Sequence, residues 1–104
     1  MIERQYLYLT TAGRRSRLPR EIEIWFTTLA GNYYLIAERR ERAHWVQNIL
    51  HDPHVSFLVG NQSFTGTARV VDEAHEPELW HEVRKLSDGK YGWSDGLVVE
   101  LMPE

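Results

Sequence analysis

The chain of 104 residues makes one domain, 1–104, able to bury roughly 60–70% of the surface its unfolded form exposes. Hydrophobic residues at 42%, with four Trp, five Tyr and three Phe, exclude a disordered chain, and the lack of cysteine excludes disulfides and thiolate metal sites. A net charge of −3 disfavours a general nucleic-acid binder, and no apolar stretch nears the ~18 residues of a membrane span.

Gln5 to Leu9 reads as a strand rich in leucine and aromatics. It empties into Thr10-Thr11-Ala12-Gly13-Arg14-Arg15-Ser16-Arg17-Leu18-Pro19-Arg20, a loop of hydroxyls, one glycine and four arginines. Guanidinium forks match the oxygens of a phosphate or carboxylate, hydroxyls donate to it, and glycine lets the backbone come close. A solvated loop is an equally tolerable reading, because like charges ~8 Å apart in water cost only about 0.5 kcal/mol.

A second extended run, Glu21 to Thr28, places Ile22 and Ile24 on one face and Glu21 and Glu23 on the other. Ala30-Gly31-Asn32 is a tight turn into a strand over 33–37. Arg39, Arg40 and Arg42 lead into a helix from about Glu41 to His51, with Trp45, Val46, Ile49 and Leu50 as its apolar face and Asp52-Pro53 as its stop. His54 to Val59 is a strand, Gly60-Asn61 a hairpin turn, and Gln62 to Val71 the longest strand, in which Gly66 predicts a bulge or bend. Asp72 N-caps a second helix running to about Leu86, with Leu79, Trp80, Val83 and Leu86 inward. Ser87 to Gly96 is a loop carrying Tyr91 and Trp93, and Leu97 to Leu101 closes the chain as a sixth strand.

This order predicts a mainly β (α+β) fold: six antiparallel strands curled into a small barrel, with two helices over its ends or open seam. Seven of the twelve basic residues fall in two stretches, Arg14, Arg15, Arg17, Arg20 and then Arg39, Arg40, Arg42. A local positive patch on an acidic body suits a small anion better than a polyanion. The five histidines lack the spacing of three convergent ligands, so no metal is expected. No serine–histidine–acid set or activated thiol stands out, so no side chain is assigned as catalytic. Met1-Ile2-Glu3-Arg4 is no signal peptide, and a cytoplasmic location is the expectation.

The run Leu9 to Ser16, followed by Pro19-Arg20 and an extended apolar strand, resembles the deazaflavin-dependent nitroreductase family, split β-barrel proteins related to pyridoxamine-phosphate oxidase. The likeness continues through the tyrosine-rich strand, through Ala43-His44-Trp45-Val46-Gln47-Asn48-Ile49 with its Trp-x-x-Asn pattern, and through Asp52-Pro53-His54-Val55 and 60–71. It implies a six-stranded split barrel that pairs as a homodimer and binds a deazaflavin coenzyme or, in some relatives, FMN. By matching positions, Arg15 and Arg20 hold phosphate or tail carboxylates, with Arg14 and Ser16 beside them. Ile36, Ala37 and Glu38 line the ring edge, Arg39 lies near ring or tail, and Trp45 and Asn48 face the cofactor. Tyr91 and Trp93 fall on the substrate side.

Three departures from the family pattern stand out. Arg17 replaces a glycine after the loop serine, the second strand lacks a proline near Glu23, and Glu38 takes the place of a small or hydroxyl residue. Without the resemblance, Trp45 and Asn48 read as a core tryptophan and a surface amide, and Tyr91 and Trp93 read equally as a packed lid or a ligand wall. The resemblance implies an oxidoreductase passing hydride from a reduced deazaflavin, or reduced FMN, to a small electron-poor acceptor. The alternative is a carrier or sensor that binds a flavin or tetrapyrrole without turnover, which Glu38 favours. Nucleic-acid binding through the arginine loop is a third reading, set aside on net charge.

Overall fold

Period-2 burial builds most of this molecule. In the computed structural model, which describes residues 5–104 and so excludes the polar start Met1–Arg4, β1 (Tyr6–Ala12) buries Leu7, Leu9 and Thr11 and turns Tyr6, Tyr8 and Thr10 to the opposite face. Six further strands follow: β2 (Pro19–Trp25), β3 (Thr27–Leu29), β4 (Asn32–Ala37), β5 (His54–Val59), β6 (Gln62–Val71) and β7 (Leu97–Pro103). A single 3-10 turn (Arg40–Arg42) precedes α1 (His44–His51), and α2 (Pro77–Tyr91) joins β6 to β7. Every neighbouring pair in the sheet is antiparallel, in the order β2-β1-β5-β6-β7-β4-β3.

The two ends of that order, β2 and β3, are consecutive in the chain, with only Phe26 between them. One extended run therefore pairs first with β1 and then with β4, which curls the sheet into a split barrel. The expectation of six strands counted this run once; the change of partner at Phe26 makes it two, and seven in all. Inside the curl Leu7, Leu9, Leu35, Phe57, Val99 and Leu101 pack with Ile49 of α1; on the opposite face of β4, β6 and β7, Tyr34, Ile36, Val71 and Val98 pack with Val83 of α2.

Several expected boundaries move for local reasons. β1 runs on through Thr10-Thr11-Ala12, because Thr11 pairs with Arg20 of β2 and with Val55 of β5. α1 starts at His44 rather than Glu41, since Ala43 is extended (ψ 133) and separates the 3-10 turn from the helix. Leu50 is 61% exposed, not on the buried face, because Asn48 turns inward beside Val46 and Ile49 and rotates the buried arc away from it.

Asp72 does not cap α2. It accepts from the Ala74 N–H (2.9 Å) in a separate turn, and Glu76, kept out of the helical region by the proline behind it (φ −134, ψ 62), precedes a helix that starts at Pro77. α2 ends not at Leu86 but at Tyr91, where Gly92 adopts the left-handed conformation (φ 71) that closes helices. Tyr91 is therefore helical, and the expected loop shortens to 92–96. Gly66 marks no bulge. Its ladders to Val55 and Pro103 are continuous, and a Cβ there would lie 2.1 Å from the Met102 carbonyl oxygen, so glycine is required by close approach of β7.

Candidate functional site

The arginine loop is folded by its own backbone. Gly13 N–H donates to the Leu18 carbonyl and Arg17 N–H to the Gly13 carbonyl, both at 2.8 Å, and Ser16 Oγ accepts from the Leu18 N–H at 3.2 Å. The tightness forces Arg17 to φ 63, the region glycine favours, at the position where a glycine was the expected pattern. Its guanidinium turns outward to Asp52 at 3.5 Å. Hydrogen bonds from the side chain and backbone of His54, and then the charge of Arg17, hold the Asp52 carboxyl below the usual carboxylate range.

Asn48 ties this loop to the barrel. It is only 3% exposed; its Oδ1 accepts from the Arg14 N–H (3.2 Å) and from Arg14 Nη1 (3.0 Å), and its Nδ2 donates to Thr11 Oγ1 (3.0 Å). Arg14 Nη2 in turn reaches His44 Nδ1 at 3.3 Å. The amide thus lies at the wall of the loop's cleft with its polar atoms engaged by the protein.

Two clefts follow from this arrangement. One, of about 620 Å³, lies between the loop and α1 and is lined by Arg14, Arg15, Ser16, Arg20, Trp45 and Asn48, with Gly13, Pro19, Glu21, Ile22 and His44 completing it. The Arg15 and Arg20 side chains have neither hydrogen-bond nor ion-pair partners among the described residues, so two unpaired guanidinium groups border this space, with Glu21 on the same wall. The other, of about 850 Å³, runs along β2 and the end of β4 and is lined by Ile36, Ala37, Glu38, Arg39, Trp45 and Trp93, together with Tyr6, Trp25, Arg42 and His44. Three of the four tryptophans border it. Ile22, His44 and Trp45 belong to both clefts, so the two meet there.

The end of β4 is set by Gly96, where a Cβ would come within 2.5 Å of the Ala37 carbonyl oxygen and 2.6 Å of Ile36 Cγ2. Glu38, the next residue, is exposed and has no polar partner among the described residues. No side chain caps α1 and no acid lies in its first turn, so its N-terminal amides add positive potential beside Ala43 and His44.

Of the residues singled out from sequence, Arg14, Arg15, Ser16, Arg20, Trp45 and Asn48 share the first cleft, and Ile36, Ala37, Glu38, Arg39 and Trp93 share the second with Trp45. Tyr91 lines neither. Its ring stacks on Trp25 (4.4 Å, 4°), and its hydroxyl accepts from the Phe26 N–H (3.1 Å) while lying within donating distance of the Phe26 (2.9 Å) and Gln5 carbonyls. Sequence reasoning passed over His44, Ile22 and Trp25. A histidine directly before the Trp-x-x-Asn pattern was the available signal for the first, and inward alternation of β2 for the second.

Among the described residues no helix is long and apolar enough to cross a membrane, and no cluster of His, Asp and Glu could hold a metal ion. The fold is shared with solved structures of low identity. The heme storage protein HutZ of Vibrio cholerae superposes with a TM-score of 0.79 at 20% identity over 98% of this chain and 83% of that one. The conserved hypothetical protein Rv2991 of Mycobacterium tuberculosis gives 0.78 at 23% over 96% and 73%, and an F420-H2 dependent reductase (FDR-A) gives 0.74 at 21% over 97% and 96%. No curated protein matches the chain in sequence. The family model for F420H(2)-dependent quinone reductase matches residues 2–95, and the chain belongs to that family.

Proposed function

We propose that this protein is an oxidoreductase that binds a deazaflavin coenzyme, with FMN as the alternative cofactor, and passes hydride to a small electron-poor acceptor such as a quinone, nitroaromatic or activated enone. The observation that carries the reading is the pair of joined clefts: unpaired Arg15 and Arg20 in one, a tryptophan-bordered slot in the other, and a shared boundary at Trp45. An anionic tail fits the first and a planar ring the second. Bound there, the reduced deazaflavin supplies the hydride.

In this reading Arg15 and Arg20 hold the tail's phosphate or carboxylates, with Arg14 and Ser16 beside them. The β4 segment Ile36 to Glu38 and Trp45 flank the ring, and Arg39 meets the ring or the tail. Asn48 acts through Arg14 rather than on the ligand. Trp93 borders the acceptor side, and Tyr91 supports it through Trp25, whose ring meets Trp93 edge-on at 6.3 Å. Pairing of two copies as a homodimer is supported by exposed apolar rings at the rim of the second cleft, where Tyr6 (42% exposed) and Trp25 (48%) sit opposite each other across β1 and β2.

A fluorescence-quenching titration tests the reading. The wild-type protein should bind coenzyme F420 or FMN with micromolar or better affinity, and Arg15→Ala or Arg20→Ala should each weaken binding about tenfold or more, as expected for loss of a charge-assisted hydrogen bond. A flat titration with both cofactors overturns it. Glu38, an unpartnered carboxylate in the ring cleft, favours a second reading in which the same groove carries a flavin or tetrapyrrole without turnover. Tight binding without reductase activity, with turnover appearing in Glu38→Ser, would select that reading.

A further inference from the structure

His44 opens α1 and borders both clefts, so its ring stands where they join. Its Nδ1 lies 3.3 Å from Arg14 Nη2. A guanidinium has donors and no acceptor, so Nδ1 must be the acceptor and the proton of the neutral ring must sit on Nε2. Behind Arg14 the bonds run the other way, into the barrel wall. Both the backbone N–H and Nη1 of Arg14 donate to Asn48 Oδ1, which fixes the orientation of that buried amide and leaves Nδ2 to donate to Thr11 Oγ1. Arg14 thus donates to both sides, to Asn48 in the barrel wall and to His44 Nδ1 at the cleft, and the His44 Nε2–H has no partner among the described residues.

We infer that His44 is a ligand-binding residue of the groove, donating its Nε2–H to an oxygen or nitrogen of the ligand at the junction between anionic tail and planar ring. The inference rests on the function proposed above and adds a contact that discriminates among ligands: a ligand lacking an acceptor atom at that junction leaves the donor unmet. The same proton placement argues against Nε2 as a metal ligand. A metal-bound imidazole donates its other ring N–H to a neighbour, and here the neighbour of Nδ1 is itself a donor.

Two measurements on the full chain test this. Long-range ¹H–¹⁵N correlation spectra of the ligand-free protein should show the neutral His44 ring protonated on Nε2, and Arg14→Met should release that preference. Titration with coenzyme F420 should give about tenfold weaker binding for His44→Phe, which keeps a flat ring without a donor. His44→Gln should stay within about threefold of wild type, because its amide restores an N–H. A ring protonated on Nδ1, or equal affinity of wild type and His44→Phe, overturns the assignment while leaving the proposed function standing. A wild-type protein that binds neither F420 nor FMN overturns the proposed function and the ligand contact of His44 with it.

Discussion

Asn48→Ala is the most informative single substitution, because one buried amide serves the barrel and the loop together. Its three hydrogen bonds, to Thr11 Oγ1 at 3.0 Å, the Arg14 backbone at 3.2 Å and Arg14 Nη1 at 3.0 Å, are each worth about 0.5–1.5 kcal/mol net, more where a charged group takes part. Truncation also leaves the buried Thr11 hydroxyl without that donor and opens a small void beside Ile49. The expected loss of stability is about 2–4 kcal/mol in urea unfolding, with an unchanged denaturant slope. Asn48→Asp should cost less, since a carboxylate still accepts both Arg14 donors and the Thr11 hydroxyl can rotate to donate. The readout specific to the site is affinity: with Arg14 released, F420 binding by Asn48→Ala should weaken at least tenfold under conditions where the variant is fully folded. A variant that loses less than about 0.5 kcal/mol and binds the cofactor as wild type does would refute the idea that this amide organises the loop.

Arg17→Gly should stabilise the protein by about 0.5 kcal/mol in the same assay. Relief of a left-handed non-glycine residue (~1–2 kcal/mol) outweighs the added freedom of the unfolded chain and an exposed pair to Asp52, and cofactor affinity should stay within about twofold because Arg17 lines neither cleft. Gly96→Ala should cost about 2 kcal/mol or more and weaken ring binding, since the new Cβ must displace the Ala37 carbonyl at 2.5 Å and so the wall of the cleft; a cofactor titration alongside thermal melting checks both effects. Hydrogen bonds from Arg69, followed by its charge, hold the Glu76 carboxyl below the usual range, so its contribution is complete above pH about 4.5 and is lost as the pH falls through its lower folded value; Glu76→Gln should flatten the acid limb of the melting-temperature profile. At the other end, burial followed by the hydrogen bond to Glu100 pushes the Tyr34 hydroxyl up to about 12, so its stabilisation is full below pH 10 and disappears as the pH rises through about 12; Tyr34→Phe should remove that alkaline step in circular dichroism melts.

The strands were legible because alternation is local. Ile22 and Ile24 lie inward with Glu21 and Glu23 exposed, and β5, its Gly60-Asn61 turn and β6 occupy the residues that their patterns indicate. Most residues that line the two clefts were legible for a similar reason: the loop arginines and the Trp-x-x-Asn pair are short-range motifs. What escaped depends on contacts distant in sequence. The inward turn of Asn48 answers to Thr11 and Arg14, more than thirty residues away. The requirement for Gly66 comes from β7; the start of α2, by contrast, is local, set by Pro77 five residues beyond Asp72.

Tyr91 shows why a plausible aromatic can be misread. Where the run from β2 to β3 changes partner, Phe26 leaves both its backbone groups outside either ladder, and buried backbone groups need partners. The end of α2 supplies them: the Tyr91 hydroxyl takes the Phe26 N–H, and the Phe26 carbonyl receives Lys90 Nζ at 2.9 Å with the same hydroxyl close by. Closing the seam at Phe26 lets β2 stay with β1 while β4 stays with β7, and the second cleft runs along the divergence between them, bordered by Ile22 to Trp25 on one side and Ile36 to Arg39 on the other. The aromatic that holds the seam therefore cannot also face the groove, but its stacked neighbour Trp25 and the edge-on Trp93 do. The groove exists because one strand changes partners, and Tyr91 is where the fold stabilises that change.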